Sequence, residues 1–269
     1  MKFLAGTLFF LSAATANPSW VEVPAGDYSP LFVPSRADPK GLLDLRQNSD
    51  RPKISEVKTR VSVAAFQIAK SPVTNEDFQK FVKVRPEWQK LKAVEIFADS
   101  RYLEHWNASG PKSKKLLKKP VTNVSWFAAK SYCQWVGARL PSTDEWEYLA
   151  SLDKPDVRDK AILDWYAKPA GSEPSFQEST FVGVFGIQDM YGKIWEWTSD
   201  FNSSMVTGES REDTSLSRSM FCGAGSIGAT KPEEYATFMR FAFRSSLKGN
   251  YDSPILGFRC AKNLPKENL

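Results

Sequence analysis

The sequence predicts an α+β domain assembled from short elements. Residues 120–150, PVTNVSWFAAKSYCQWVGARLPSTDEWEYLA, spell two short helices and a tight link between them. A brief alternating stretch at Trp20–Pro24 has the period of two that suits a half-buried strand, and Val61–Ile68 is the next strand candidate. No long helical period occurs, and 17 prolines, 15 glycines and 13% aromatic residues suit irregular chain packed between small elements.

Helix starts are written locally. Ser125 can cap the first helix of the 120–150 stretch, because its hydroxyl accepts an N–H that the opening turn leaves unpaired. Trp126, Ala129, Cys133 and Val136 follow on one apolar face, and Gly137 ends the run. Ser142-Thr143-Asp144-Glu145 is a capping box that opens the second helix. Upstream, Thr74 caps a helix whose face is Phe78, Phe81 and Val82, with Asp77 at its positive end. Ala25-Gly26-Asp27 reads as a turn, and residues 36–58 as an irregular surface loop. PVTN occurs at 72–75 and again at 120–123, without the third copy or flanking similarity of a repeat architecture.

Composition restricts the function. Residues 1–16 read as a secretory signal peptide: Lys2 is the charged start, Phe3–Leu11 the apolar stretch, and Ala14-Thr15-Ala16 the cleavage site. The expectation is a periplasmic or secreted protein with no later transmembrane segment, its residues 17–269 forming one domain with no Gly/Ser- or Pro-rich linker. The net charge of +5 is modest, and the basic run Lys112–Lys119 reads as a solvated loop. Export also makes nucleic acid an unsuitable partner. His105 is the only histidine, so the polypeptide cannot supply a multi-histidine iron site.

The order VSW, AxxYCxW, GxRLP and EWEY, followed by GIQDMYGKIWEWT at 186–198, GAGS at 223–226, RFAFRS at 240–245 and LGFRC at 256–260, resembles the formylglycine-generating (sulfatase-modifying) enzyme family. The resemblance implies a C-type-lectin-like domain of small antiparallel sheets, two helices and much irregular chain. It also implies a disulfide between Cys133 and Cys260, which an oxidising compartment would permit. The family's second disulfide falls on Ala150 and Phe241, both apolar here. Around Tyr28-Ser29-Pro30 the chain departs from the family pattern.

The catalytic machinery of the resembling enzymes is a pair of reactive cysteines that binds copper and activates dioxygen. The corresponding interval, residues 227–239, contains no cysteine, and copper(I) requires soft sulfur donors. Cys222 lies before that interval. It reads as a small buried thiol, with copper binding beside Met220 or an intermolecular disulfide as alternatives.

The resemblance further places a structural calcium on Asp189, Gly192, Ile194 and Glu196, through two side-chain oxygens and two carbonyls, with the Lys193 ammonium beside the set. The family's other calcium site cannot be traced between residues 151 and 180. Trp195 and Ser226 match residues near the family's substrate cleft. Arg240 and Arg244 read as structural donors or as contacts for an anionic ligand. Three functions remain open: a binding or accessory module for a protein, peptide or glycan partner in the cell envelope; a periplasmic tailoring enzyme similar to pyoverdine-maturation relatives; and a formylglycine-generating oxidase that uses Cys222.

Overall fold

The computed structural model describes residues 18–29, 60–108, 110–166, 181–191, 193–201 and 247–264. Strands β1 (Trp20–Val23), β4 (Phe66–Ala69) and β9 (Ala261–Asn263) form an antiparallel sheet in the order β1-β4-β9, with Trp20 opposite Ala69 and Phe66 opposite Asn263. Strands β2 (Gly26–Tyr28) and β3 (Val61–Val63) pair antiparallel in a second sheet. The expected turn at Ala25–Asp27 is therefore mostly β2, and the expected single strand Val61–Ile68 is two strands in different sheets. In each case the chain changes sheets across two residues, 24–25 and 64–65.

Helix α1 (Asn75–Val84) begins as its sequence dictates. The Thr74 hydroxyl accepts from the Asp77 N–H at 3.2 Å and donates to the Asp77 carboxylate at 2.6 Å. Phe78, Phe81 and Val82 are buried. Helix α2 (Trp126–Trp135) is capped by Ser125 and stops at Gly137, whose φ of +68° lets the Gly137 and Ala138 N–H groups reach the Gln134 and Cys133 carbonyls. Trp126 and Val136 are only half-buried, so the deepest face of α2 is Ala128, Ala129, Tyr132 and Cys133. Helix α3 (Thr143–Leu152) carries the full capping box of Ser142 and Glu145. Helix α4 (Pro155–Tyr166) has no counterpart among the expected elements.

Two short strand pairs complete the described topology. Strands β5 (Trp106–Asn107) and β6 (Gly110–Pro111) are antiparallel. Strands β7 (Trp195–Glu196) and β8 (Leu256–Gly257) are parallel, where only antiparallel pairing was expected. Gly257 permits that approach: a Cβ there would lie 2.4 Å from the Val121 carbonyl oxygen and 2.8 Å from Ile194 Cδ1.

The core divides in two. Phe78, Phe81, Trp106, Tyr132, Trp197 and Phe258 join α1 to α2, with Phe78 stacked on Tyr132 at 5.8 Å and Tyr132 edge-on to Phe258 at 5.4 Å. Phe66, Ile68, Trp146, Leu149 and Tyr191 join the three-stranded sheet to α3. The two PVTN stretches lie side by side, the Val121 N–H donating to the Val73 carbonyl and Thr74 bridging Pro120. Cys133 is bonded to Cys260, closing a separation of 127 residues beside this core. Ala150 is fully buried, as an apolar successor to a crosslink would be, while Phe241 lies outside the described residues. No helix among the described residues is long and apolar enough to cross a membrane.

Candidate functional site

The 186–198 and 256–260 motifs converge at the end of β4, and Arg259 is the residue that joins them. Alternation along Leu256–Cys260 would turn Arg259 outward, yet the whole stretch except Leu256–Gly257 is outside regular strand and Arg259 has 0% exposure. Its guanidinium nitrogens donate to both oxygens of Glu196: Nε to Oε2 at 2.8 Å and Nη2 to Oε1 at 2.8 Å. Its remaining N–H groups reach the carbonyls of Ala69 at 3.3 Å, Lys70 at 3.4 Å and Gln188 at 2.8 Å. One buried cation thus ties the end of β4 to β7 and to the 188–191 turn. The sequence signal for this was present but overlooked: an arginine between Phe258 and Cys260, and a glutamate between Trp195 and Trp197, are charges set in apolar runs.

Asp189 sits on the same turn with φ at +54°, its side chain 5% exposed. Lys193 Nζ donates to Asp189 Oδ2 at 2.9 Å, and the lysine side chain is itself 10% exposed. Both carboxylates of the expected calcium set therefore face cations of the chain itself. Glu196 Oε2 is also 3.4 Å from Trp146 Nε1. A calcium ion takes six to eight oxygen ligands and depends on carboxylate charge for affinity. Here that charge is already balanced by Lys193 and Arg259, so the residues as arranged do not fit the ion. No group of three or more His, Cys, Asp or Glu side chains among the described residues could hold a metal. Ile194 is buried, and Gly192 lies outside the described residues.

Trp197 is fully buried and donates to the Val124 carbonyl at 2.8 Å, which makes it a core residue. Trp195 is half-buried against the same core, its backbone N–H bonded to the Ile255 carbonyl. A cavity of about 190 Å³ lies elsewhere, between Ser19, Lys70, Pro72, Asp77 and Tyr132, and is smaller than the usual ligand pocket. Trp195 does not line it. Cys222, Ser226, Arg240, Arg244 and the interval 227–239 all lie outside the described residues.

A second polar network surrounds His105. The Asn75 amide donates to the carbonyls of Leu116, Lys119 and Pro120, which fixes its oxygen as an acceptor for Trp106 Nε1 at 2.7 Å and His105 Nε2 at 2.9 Å. His105 must then carry its proton on Nε2. Burial, assisted by Lys90 and Lys112, lowers its pKa to about 4, so the ring is neutral at physiological pH and serves as a structural donor.

Nearby, Asp252 is fully buried, and its Oδ2 has no hydrogen-bond partner among the described residues. Burial first, then the neighbouring Asp99 carboxyl, raises its pKa to about 7, against opposing contributions from Asn123 and Arg101. The carboxyl therefore keeps its proton to higher pH in the folded chain than in the unfolded one. The folded chain binds this proton more tightly than the unfolded chain, so its contribution to stability is complete below pH ~4 and is lost as pH rises through about 7. Asp252→Asn is expected to flatten the stability profile across that window in denaturant melts at several pH values. An unchanged slope would show that Asp252 is ionised throughout.

The family model described as "Sulfatase-modifying factor enzyme 1-like domain" matches residues 12–264. The chain is similar to the formylglycine-generating enzyme of Mus musculus, at 29% identity over 90% of this chain and 74% of that protein. It is similar to the inactive C-alpha-formylglycine-generating enzyme 2 of Mus musculus, at 29% identity over 78% of this chain and 79% of that protein. Among solved structures, PvdO from Pseudomonas aeruginosa has a like fold, with a TM-score of 0.50 and 20% identity over 92% of this chain and 95% of that chain. The α+β architecture, the ordered motifs and a match along nearly the whole length agree, and the chain belongs to the sulfatase-modifying factor enzyme 1-like domain family.

Proposed function

We propose that this chain is an exported member of the family that has left copper-dependent cysteine-to-formylglycine oxidation and acts as a binding or accessory module for a protein, peptide or glycan of the cell envelope. The observation that supports this reading is the disposition of sulfur. Of three cysteines, Cys133 and Cys260 are consumed by the buried disulfide, which leaves Cys222 as the single remaining thiol. Two thiolates in contact hold copper(I) in the catalytic pair, and the interval 227–239 contains no cysteine, its one sulfur being the Met239 thioether. A relative whose name calls it inactive aligns with 78% of the chain, which suits a scaffold retained without that activity. The leader-like residues 1–16 support the export part of the reading.

The test is turnover. The full-length mature chain, supplied with copper(I), dioxygen and a cysteine-containing sulfatase peptide, is expected to yield no aldehyde by hydrazide tagging and mass spectrometry. Copper-dependent aldehyde that disappears in Cys222→Ser would overturn the reading and establish the oxidase.

A further inference from the structure

We propose that Lys193, with Arg259 behind it, supplies as fixed side-chain charge what an exchangeable cation would otherwise supply, so that Asp189 and Glu196 are held in place independently of calcium. The inference stands apart from the proposed function, and either can fail alone.

Charge comes first. The joint contains two buried carboxylates, Asp189 and Glu196, and two buried cations, Lys193 and Arg259, each acid in direct contact with one base. The four side chains are 10% exposed or less, so water screens them weakly and the pairing decides which charges the joint tolerates. A dication added to this balanced set would meet the Lys193 ammonium at contact distance. It could bind only after that ammonium moved out to solvent.

Geometry points the same way. Both oxygens of Glu196 are occupied by the guanidinium, and Oε2 also faces Trp146. Lys193 lies four residues after Asp189, across the turn at Met190–Tyr191, so its ammonium is delivered by the chain and cannot be diluted or chelated away. Arg259 meanwhile anchors the preceding residue, Gln188, through its carbonyl, and the Gln188 N–H bonds to Lys70. The turn is held from one side by a tethered ammonium and from the other by a tethered guanidinium.

The experiment uses the mature chain. Thermal denaturation in millimolar CaCl2 and in EDTA is expected to give the same Tm, and elemental analysis of the dialysed protein is expected to find no stoichiometric calcium. In Lys193→Gln the Asp189 carboxylate stays buried without its cation, and Tm in EDTA is expected to fall by about 5 °C. Millimolar calcium should return part of that loss, because a buried carboxylate that has lost its ammonium recruits a cation. In Asp189→Asn/Lys193→Gln the carboxylate charge is removed with the ammonium, and Tm should approach that of the unaltered chain with calcium having no effect. A rise in the unaltered chain's Tm on adding calcium, or one calcium retained per chain, would overturn the inference. So would a Lys193→Gln chain that melts in EDTA like the unaltered protein. The calcium arm on the unaltered chain decides the matter even if a variant does not fold.

Discussion

Arg259→Met is expected to lower stability by about 3–5 kcal/mol, the usual cost of leaving one partner of a buried ion pair without the other. For a domain of this size that corresponds to a Tm lower by about 10 °C. The cause is specific. Glu196 has a side chain only 1% exposed and would retain its charge with no guanidinium to balance it, and the carbonyls of Ala69, Lys70 and Gln188 would lose the guanidinium N–H groups that reach them. Arg259→Lys should recover little, since one ammonium cannot contact both Glu196 oxygens and three carbonyls together. Glu196→Leu/Arg259→Met should recover most of the loss, because the stranded charge is removed with its partner. Thermal melts of the single and double variants measure this directly. Equal losses in Arg259→Met and in the double variant would mean that packing around the side chain, and not the ion pair, sets the effect.

Removing the Cys133–Cys260 bond has the next largest expected effect. It joins the inward face of α2 to the residue that precedes β9, across a separation of 127 residues. Cys133→Ala/Cys260→Ala is expected to cost about 2–4 kcal/mol by releasing a long loop in the unfolded chain. Urea unfolding of the oxidised protein, of the protein with reductant, and of the double variant provides the check. The reduced protein and the double variant should have matching midpoints below that of the oxidised chain. Coincident midpoints for all three would show that the crosslink adds nothing to the surrounding packing.

Much of the local structure was legible in the sequence because its causes are local. Thr74, Ser125 and Ser142 each cap the helix that their position announces, and Glu145 completes its box, since every partner lies within three residues. The strands were harder. Val61–Ile68 reads as one apolar run, but its buried positions pass from Val63 to Phe66 and Ile68, a change of parity at residues 64–65 that marks the change of sheet. At Leu256–Cys260 alternation places Leu256, Phe258 and Cys260 inward, as observed, but the other side of the segment is covered too, by the joint that Glu196 closes, so Arg259 is also buried. An arginine buried there is legible only with its partner 63 positions away.

The resemblance names residues of the 186–198 motif without the charges that meet them in the fold. Asp189 and Glu196 match the calcium set that the resemblance implies, and that match does not report that Lys193 folds back onto the first while Arg259 arrives from a distant segment to meet the second. The pocket expectations could be followed only at Trp195, which packs half-buried on the first core, since Ser226, Arg240 and Arg244 lie outside the described residues.

The claim on which the functional account depends is that this chain offers copper one thiol and no pair. A competition titration of the oxidised chain with copper(I) against a chromophoric chelator, run beside a thiol count in denaturant without reductant, measures it most directly. The account predicts one titratable thiol per chain and no copper withdrawn from a high-affinity chelator. Three titratable thiols, or copper held one-to-one against the chelator, would contradict it.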